Sequence, residues 1–315
     1  MMTNPLSMRR TEKTKKPLLK RIYEYRRMYL MLLPAIAAMI LFHYGPMYGI
    51  QIAFKNYKPR LGIIDSPWVG FKYFERMFRE ASFMEVFINT LTISGLKLVF
   101  CFPAGVLYAL LLNEIRRVRM KKAAQTISYL PHFISWVVAG GLISSMFSLH
   151  GPVNALIKAL GGKPEIWLSK QGPFLVIVLL SDIWKNMGWG SIIYMAAIAG
   201  IDQSLYEAAS IDGATRFQKM RFITFPMLLP TVITMLLLQI GSFMELGFEH
   251  VFSLLTPMTY STGDIFDTYV YRVGILQAQY SITTAVGLFQ SVIGLVMVAL
   301  FNYLSKKYTE DGGLW

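Results

Sequence analysis

Cysteine is nearly absent from this chain: Cys101 stands alone among 315 residues. A disulfide framework and a Cys-x-x-Cys metal pair are thereby excluded. Cys101 itself sits inside an apolar block, where it fills core space. Histidine is scarce too. His43, His132, His150 and His250 include no pair at the i, i+4 spacing of a helical metal site, so neither metal nor haem is expected. Charged residues make up only 16% of the chain, too few to cover a soluble domain of this length. A Gly-x-x-x-x-Gly-Lys-[Ser/Thr] phosphate loop is missing, since the sole Gly-Lys pair, Gly162-Lys163, precedes Pro164. Nor is there a Ser-His-Asp grouping, a nucleophile elbow or a cluster of catalytic carboxylates.

What the chain does have is apolar length. Hydrophobic residues are 54% of it and its mean hydropathy is +0.45. They come in blocks of roughly 20, the helix length that crosses a hydrocarbon core about 30 Å thick. Polar residues collect between the blocks. The expected fold class is all-α, a polytopic membrane protein with six transmembrane helices at about 28–50, 85–112, 126–149, 173–200, 225–247 and 281–304. Gly45-Pro46 should interrupt the first. The segment before it is too long and basic for a secretory leader, and the block lacks a small-residue cleavage site. It is therefore a retained span behind a basic tail, residues 1–27, with a second tail at 305–315.

The net charge of +13 does not point to nucleic acid, because the cations flank apolar blocks and no polar domain carries them. They serve as topology determinants and as contacts for anionic lipid headgroups. With the N-terminus inside, 19 lysines and arginines fall in the tails and inner loops and 10 in the outer loops. Both termini are thus expected to be cytoplasmic. The outer loops 56–73 and 251–280 are rich in aromatics and turn residues. They suit either a platform for an external partner or an aromatic interfacial belt.

The third inner loop, 201–226, carries the most local order. Ser204 and Glu207 have capping-box spacing, as do Thr215 and Gln218. Gly213 stands where a helix would end in a left-handed residue. A short helix-turn-helix on the cytoplasmic face follows, suited either to docking on another protein or to joining two spans.

The segment from Tyr206 through Glu207, Ala208, Ala209, Ser210, Ile211, Asp212 and Gly213 to Ala214, followed by Ile223 and Pro226, resembles the EAA motif of ABC-importer permeases. It is most similar to the carbohydrate-uptake branch that includes maltose and glycerol-phosphate importers. The six-span layout and the lead-in Trp184 to Gly190 agree with it. Residues 44–57, opening Tyr44-Gly45-Pro46, resemble a narrower LplB-like branch linked to oligosaccharides from complex polysaccharides, alginate included. The resemblance implies a bacterial inner-membrane subunit that imports a carbohydrate by ATP-driven alternating access. Its partners would be a second homologous permease, two cytosolic ATPase subunits carrying the ATP and Mg, and an external or periplasmic substrate-binding protein. This chain would bind no cofactor itself. Tyr206, Glu207, Ala208, Ala209, Asp212, Gly213 and Ala214 would form the coupling helix seated on an ATPase.

Ionisable residues at membrane depth are costly and invite a functional reading. Lys97 lies within the second span. Asp182 and Lys185 share a face of the fourth, where they could neutralise each other. Gln239 and Glu245 are placed on the fifth, and the histidines after His43 near span ends. Asn186, Trp189, Tyr194, Gln239 and Glu245 are the substrate-pathway candidates, with Trp184 as a further stacking residue: aromatic faces stack on sugar rings while amides bond hydroxyls. A proton-coupled secondary transporter is the alternative, but it predicts internal inverted repeats and leaves the 201–226 loop unexplained.

Overall fold

The computed structural model describes residues 24–308, so most of both expected tails lies outside the described residues. These are helical, with two isolated bridges, Lys55–Trp68 and Lys58–Gly62, and no extended strand. The chain divides into two units, Met1–Gln51 and Ile52–Trp315.

Helix α1, Arg26–Phe54, is not interrupted at Gly45-Pro46. Its turn widens to π geometry over Ile40–Tyr44 and the helix runs on. The same device recurs twice. In α2, Ala81–Glu114, a π turn at Lys97–Cys101 precedes Pro103. In α7, Arg216–Gly241, a π turn at Met220–Thr224 precedes Pro226. A proline removes one amide donor and its ring crowds the carbonyl four residues back; a wider turn absorbs both effects without ending the helix.

The expected third span is not one helix. Helix α3, Val118–Phe133, and α4, Trp136–Met146, meet at 102°. Pro131 tightens the end of α3 into a 3-10 turn, Leu130–Phe133. Ser135 then restarts the chain as an N-cap whose hydroxyl accepts from the Val138 amide. Helix α5, Gln171–Ala199, is 29 residues long. Among the described residues, four helices are long and apolar enough to cross a membrane, namely α1, α2, α7 and α9 (Tyr280–Tyr308), with a fifth span if the bent α3–α4 pair counts as one. α5 is not among them, because Ser181, Asp182, Lys185 and Asn186 sit at its middle.

The position of α5 explains that polarity. Phe174, Ile177, Val178, Ser181, Lys185, Gly188, Ser191, Tyr194 and Ile198 are buried, a stripe at helical spacing. Phe174, Ile177 and Val178 join Ile93 of α2 with Val251 and Leu254 of α8, Phe248–Leu254, in one apolar cluster. Tyr194 and Ile198 join Val106, Ala109 and Leu110 of α2 and Leu228 of α7 in another. Gly188 lets α5 lie against α3, since a Cβ there would stand 2.3 Å from the Ser128 carbonyl oxygen. Helix α6, Gln203–Ile211, links α5 to α7.

Candidate functional site

A cavity of about 960 Å³ opens between α2, α4, α5, α7 and α8. All five substrate-pathway candidates, Asn186, Trp189, Tyr194, Gln239 and Glu245, line it. Their surroundings differ. Trp189 is 45% exposed, whereas Tyr194 is 4% exposed, its ring packed into the cluster around Leu228. Glu245 is not on the fifth span, because α7 ends at Gly241 and residues 242–247 turn toward α8. Trp184 does not line the cavity.

The charge pairing differs from the sequence expectation. Asp182 pairs with Lys97, not Lys185: the Lys97 ammonium lies 3.3 Å from Asp182 Oδ1. It also donates to the Leu246 carbonyl at 3.1 Å and reaches His250 Nδ1 at 3.1 Å. An ammonium can only donate, so Nδ1 accepts and the ring proton is on Nε2. Nε2 faces Ser181 Oγ at 2.9 Å, and that hydroxyl donates to the Val178 carbonyl. His250 is thus a fully enclosed group, 1% exposed, in place of a span-end residue. Sequence reasoning missed it because its partners come from α2 and α5, 153 and 69 residues away. The available signal was the Ser181-Asp182 pair inside an apolar run.

Asn186 is also engaged within the protein. Its Nδ2 donates to Asp182 Oδ1 at 3.2 Å and its Oδ1 meets His132 Nδ1 at 3.2 Å. Lys97, Asp182 and Glu245 are the charged groups on the cavity wall, with the first two compensating each other. Among the described residues, no group of three or more histidines, cysteines or carboxylates could hold a metal.

The 201–226 segment forms the expected helix-turn-helix with one correction. The N-cap of α6 is Asp202, whose carboxylate accepts from the Ser204 amide at 2.9 Å, so Ser204 and Glu207 are not the capping box. That bond holds the exposed Asp202 carboxyl below its usual range. At the other end Gly213 has φ +77°. Its amide donates to Ser210 O and that of Ala214 to Ala209 O, the paired bonds of a Schellman C-cap. Thr215 and Gln218 do form a capping box at the start of α7. Tyr206 bridges the two helices, its hydroxyl 2.9 Å from Thr224 Oγ1. Glu207, Ala208, Asp212 and Gly213 are exposed, while Ala209 and Ala214 are half-buried. Ile211 (87% exposed) and Phe217 (63%) leave apolar side chains in the open on this element.

Residues 102–310 match the family described as "Binding-protein-dependent transport system inner membrane component". Protein LplB of Bacillus subtilis (strain 168) is 44% identical over 286 residues, 90% of each chain. YteP of the same organism, a polygalacturonan/rhamnogalacturonan transport system permease, is 45% identical over 302 residues, 96% of this chain and 94% of that one. The fold matches a chain of a bacterial ABC transporter involved in the import of the acidic polysaccharide alginate, with a TM-score of 0.87 and 42% identity over 93% of this chain and 99% of that one. A second crystal structure, of bacterial alginate ABC transporter in complex with alginate pentasaccharide-bound periplasmic protein, matches with a TM-score of 0.86.

Proposed function

Since this chain belongs to the family of binding-protein-dependent transport system inner membrane components, we propose that it is the permease subunit that carries an oligosaccharide into the cytoplasm in ATP-driven steps. The observation that carries this reading is the doubly capped helix-turn-helix, exposed and continuous with α7, a helix that also lines the cavity. A force applied at Glu207, Ala208 or Asp212 passes through the Gly213 turn and the Tyr206–Thr224 bond into α7, and so to Gln239 on the cavity wall.

Six spans follow if the α3–α4 pair and the polar-centred α5 each count as one, and the cation asymmetry then puts both termini in the cytoplasm. The partners are a second permease, two cytosolic ATPase subunits that hold the ATP and Mg, and a substrate-binding protein. A periplasmic protein of that kind accompanies the alginate transporter. Oligosaccharide as cargo is supported by the substrates named for the relatives, polygalacturonan or rhamnogalacturonan and alginate. Trp189 supplies aromatic surface, and Gln239 and Glu245 supply groups for hydroxyls. Uptake of alginate or galacturonate oligosaccharides by cells depleted of ATP, compared with cells given an uncoupler, tests the energy source. Uptake should stop on ATP depletion and persist with the uncoupler while ATP is held up; the reverse pattern contradicts the reading.

A further inference from the structure

Lys185 is 5% exposed and forms no ion pair among the described residues. Its ammonium donates to the carbonyls of Pro131, at 3.3 Å, and His132, at 2.7 Å. Methionine would fill the same space without the cost of placing a cation in an apolar interior. The carbonyls account for the lysine. At the 102° bend between α3 and α4, the Pro131 carbonyl still accepts the Ile134 amide at 3.2 Å, while the His132 carbonyl takes the lysine in place of the amide that a straight helix would offer. A buried carbonyl without a donor is costly, and the C-terminal end of a helix favours a cation.

Asn186, the next residue along α5, holds the same part of the bend by its side chain, 3.2 Å from His132 Nδ1. His132 so fixed lies flat against Trp189, with 4.6 Å between centroids and 3° between planes. Just past the bend, Trp136 lies against His250 at 3.7 Å and 19°, with the Lys185 ammonium 5.2 Å from its ring. Trp136 and Trp189 are the tryptophans that line the cavity, and each has a histidine ring behind one face.

We propose that Lys185 and Asn186 are positioning residues for transport: they lock the α3–α4 bend and thereby hold Trp136 and Trp189 as two flat stacking faces for the pyranose rings of a passing oligosaccharide. The proposal rests on the carbohydrate reading above. A face that cannot rotate gives up little freedom when a ring settles on it, so the lock should appear as cavity affinity.

Cys101, the single thiol of the chain, lines the same cavity and reports on it. In the purified whole complex, labelling of Cys101 by a small uncharged methanethiosulfonate is followed against rising alginate pentasaccharide or oligogalacturonate. The half-protecting concentration should rise about tenfold in Lys185→Met and return to within about threefold of wild type in Lys185→Arg. Asn186→Leu, which leaves the lysine in place, should raise it about threefold. If Lys185→Met does not assemble, Asn186→Leu decides. Unchanged protection in assembled Asn186→Leu, or equal weakening in the Met and Arg variants, overturns the positioning role. Protection of wild type by neither saccharide contradicts the carbohydrate reading itself.

Discussion

Lys97 and Asp182, 85 residues apart in sequence, form the ion pair on the cavity wall, Nζ to Oδ1 at 3.3 Å. Their side chains are 13% and 15% exposed. The pair joins α2 to α5 within the apolar part of the chain, and each member is the other's main compensation.

Removing one member should therefore hurt more than removing both. Lys97→Met and Asp182→Asn should each destabilise the purified complex by about 3 kcal/mol, whereas the double variant should recover a good part of that loss. Thermal unfolding of the four forms in detergent checks this. Additive losses would mean that the pair carries no coupling.

The turn between α6 and α7 depends on a residue without a Cβ. At φ +77°, Gly213→Asp should cost about 1–2 kcal/mol locally and distort the element. The family resemblance adds that Gly213→Asp and the charge reversal Glu207→Lys should each abolish ATP-dependent uptake in membrane vesicles at normal expression. Uptake that survives both changes removes the coupling role from this segment.

Two glycines of α5 should respond oppositely to alanine. A Cβ at residue 188 meets the Ser128 carbonyl oxygen at 2.3 Å, while one at residue 190 meets nothing within 4 Å. Gly188→Ala should cost about 1–3 kcal/mol and Gly190→Ala should stay within about 0.5 kcal/mol. The melting temperatures of the purified variants give the comparison.

Asp202 sets a pH dependence for α6. Because its pKa is lowered in the folded chain, its capping contribution is complete above the ordinary aspartate value and is lost as pH falls through the lowered one. Protection of the Ser204 amide against exchange, taken relative to an unstructured amide at the same pH, should be lost on the acid side of that window, and Asp202→Ala should show the faster exchange already at neutral pH. Equal exchange in the two forms at neutral pH would contradict the cap.

Much of the fold was legible because apolar blocks of spanning length and capping residues act locally. Gly213 and the Thr215–Gln218 box needed only their near neighbours, and both stand as expected. The five cavity residues were chosen by residue type and by position within a span; Trp184, chosen the same way, lies off the cavity. Relations set by tertiary packing were not legible. Lys185 sits three residues from Asp182, which suggests a helical pair, yet it turns to the carbonyls of a bend in another helix. His250 lies within a short helix whose partners are far along the chain, so its burial left no periodic trace. The bend was hidden for a related reason. Hydropathy averages over Ile134-Ser135, while the chain direction changes there by 102°.

The central claim is an ATP-driven importer built on this chain. Its most direct test is to purify the tagged chain gently from its native membrane, identify what accompanies it, and reconstitute the whole in vesicles. The account predicts a cytosolic ATPase and a second permease in the complex, with oligosaccharide uptake that starts when ATP and the loaded binding protein are supplied. A chain that purifies alone and transports without ATP, on an ion gradient, would contradict it.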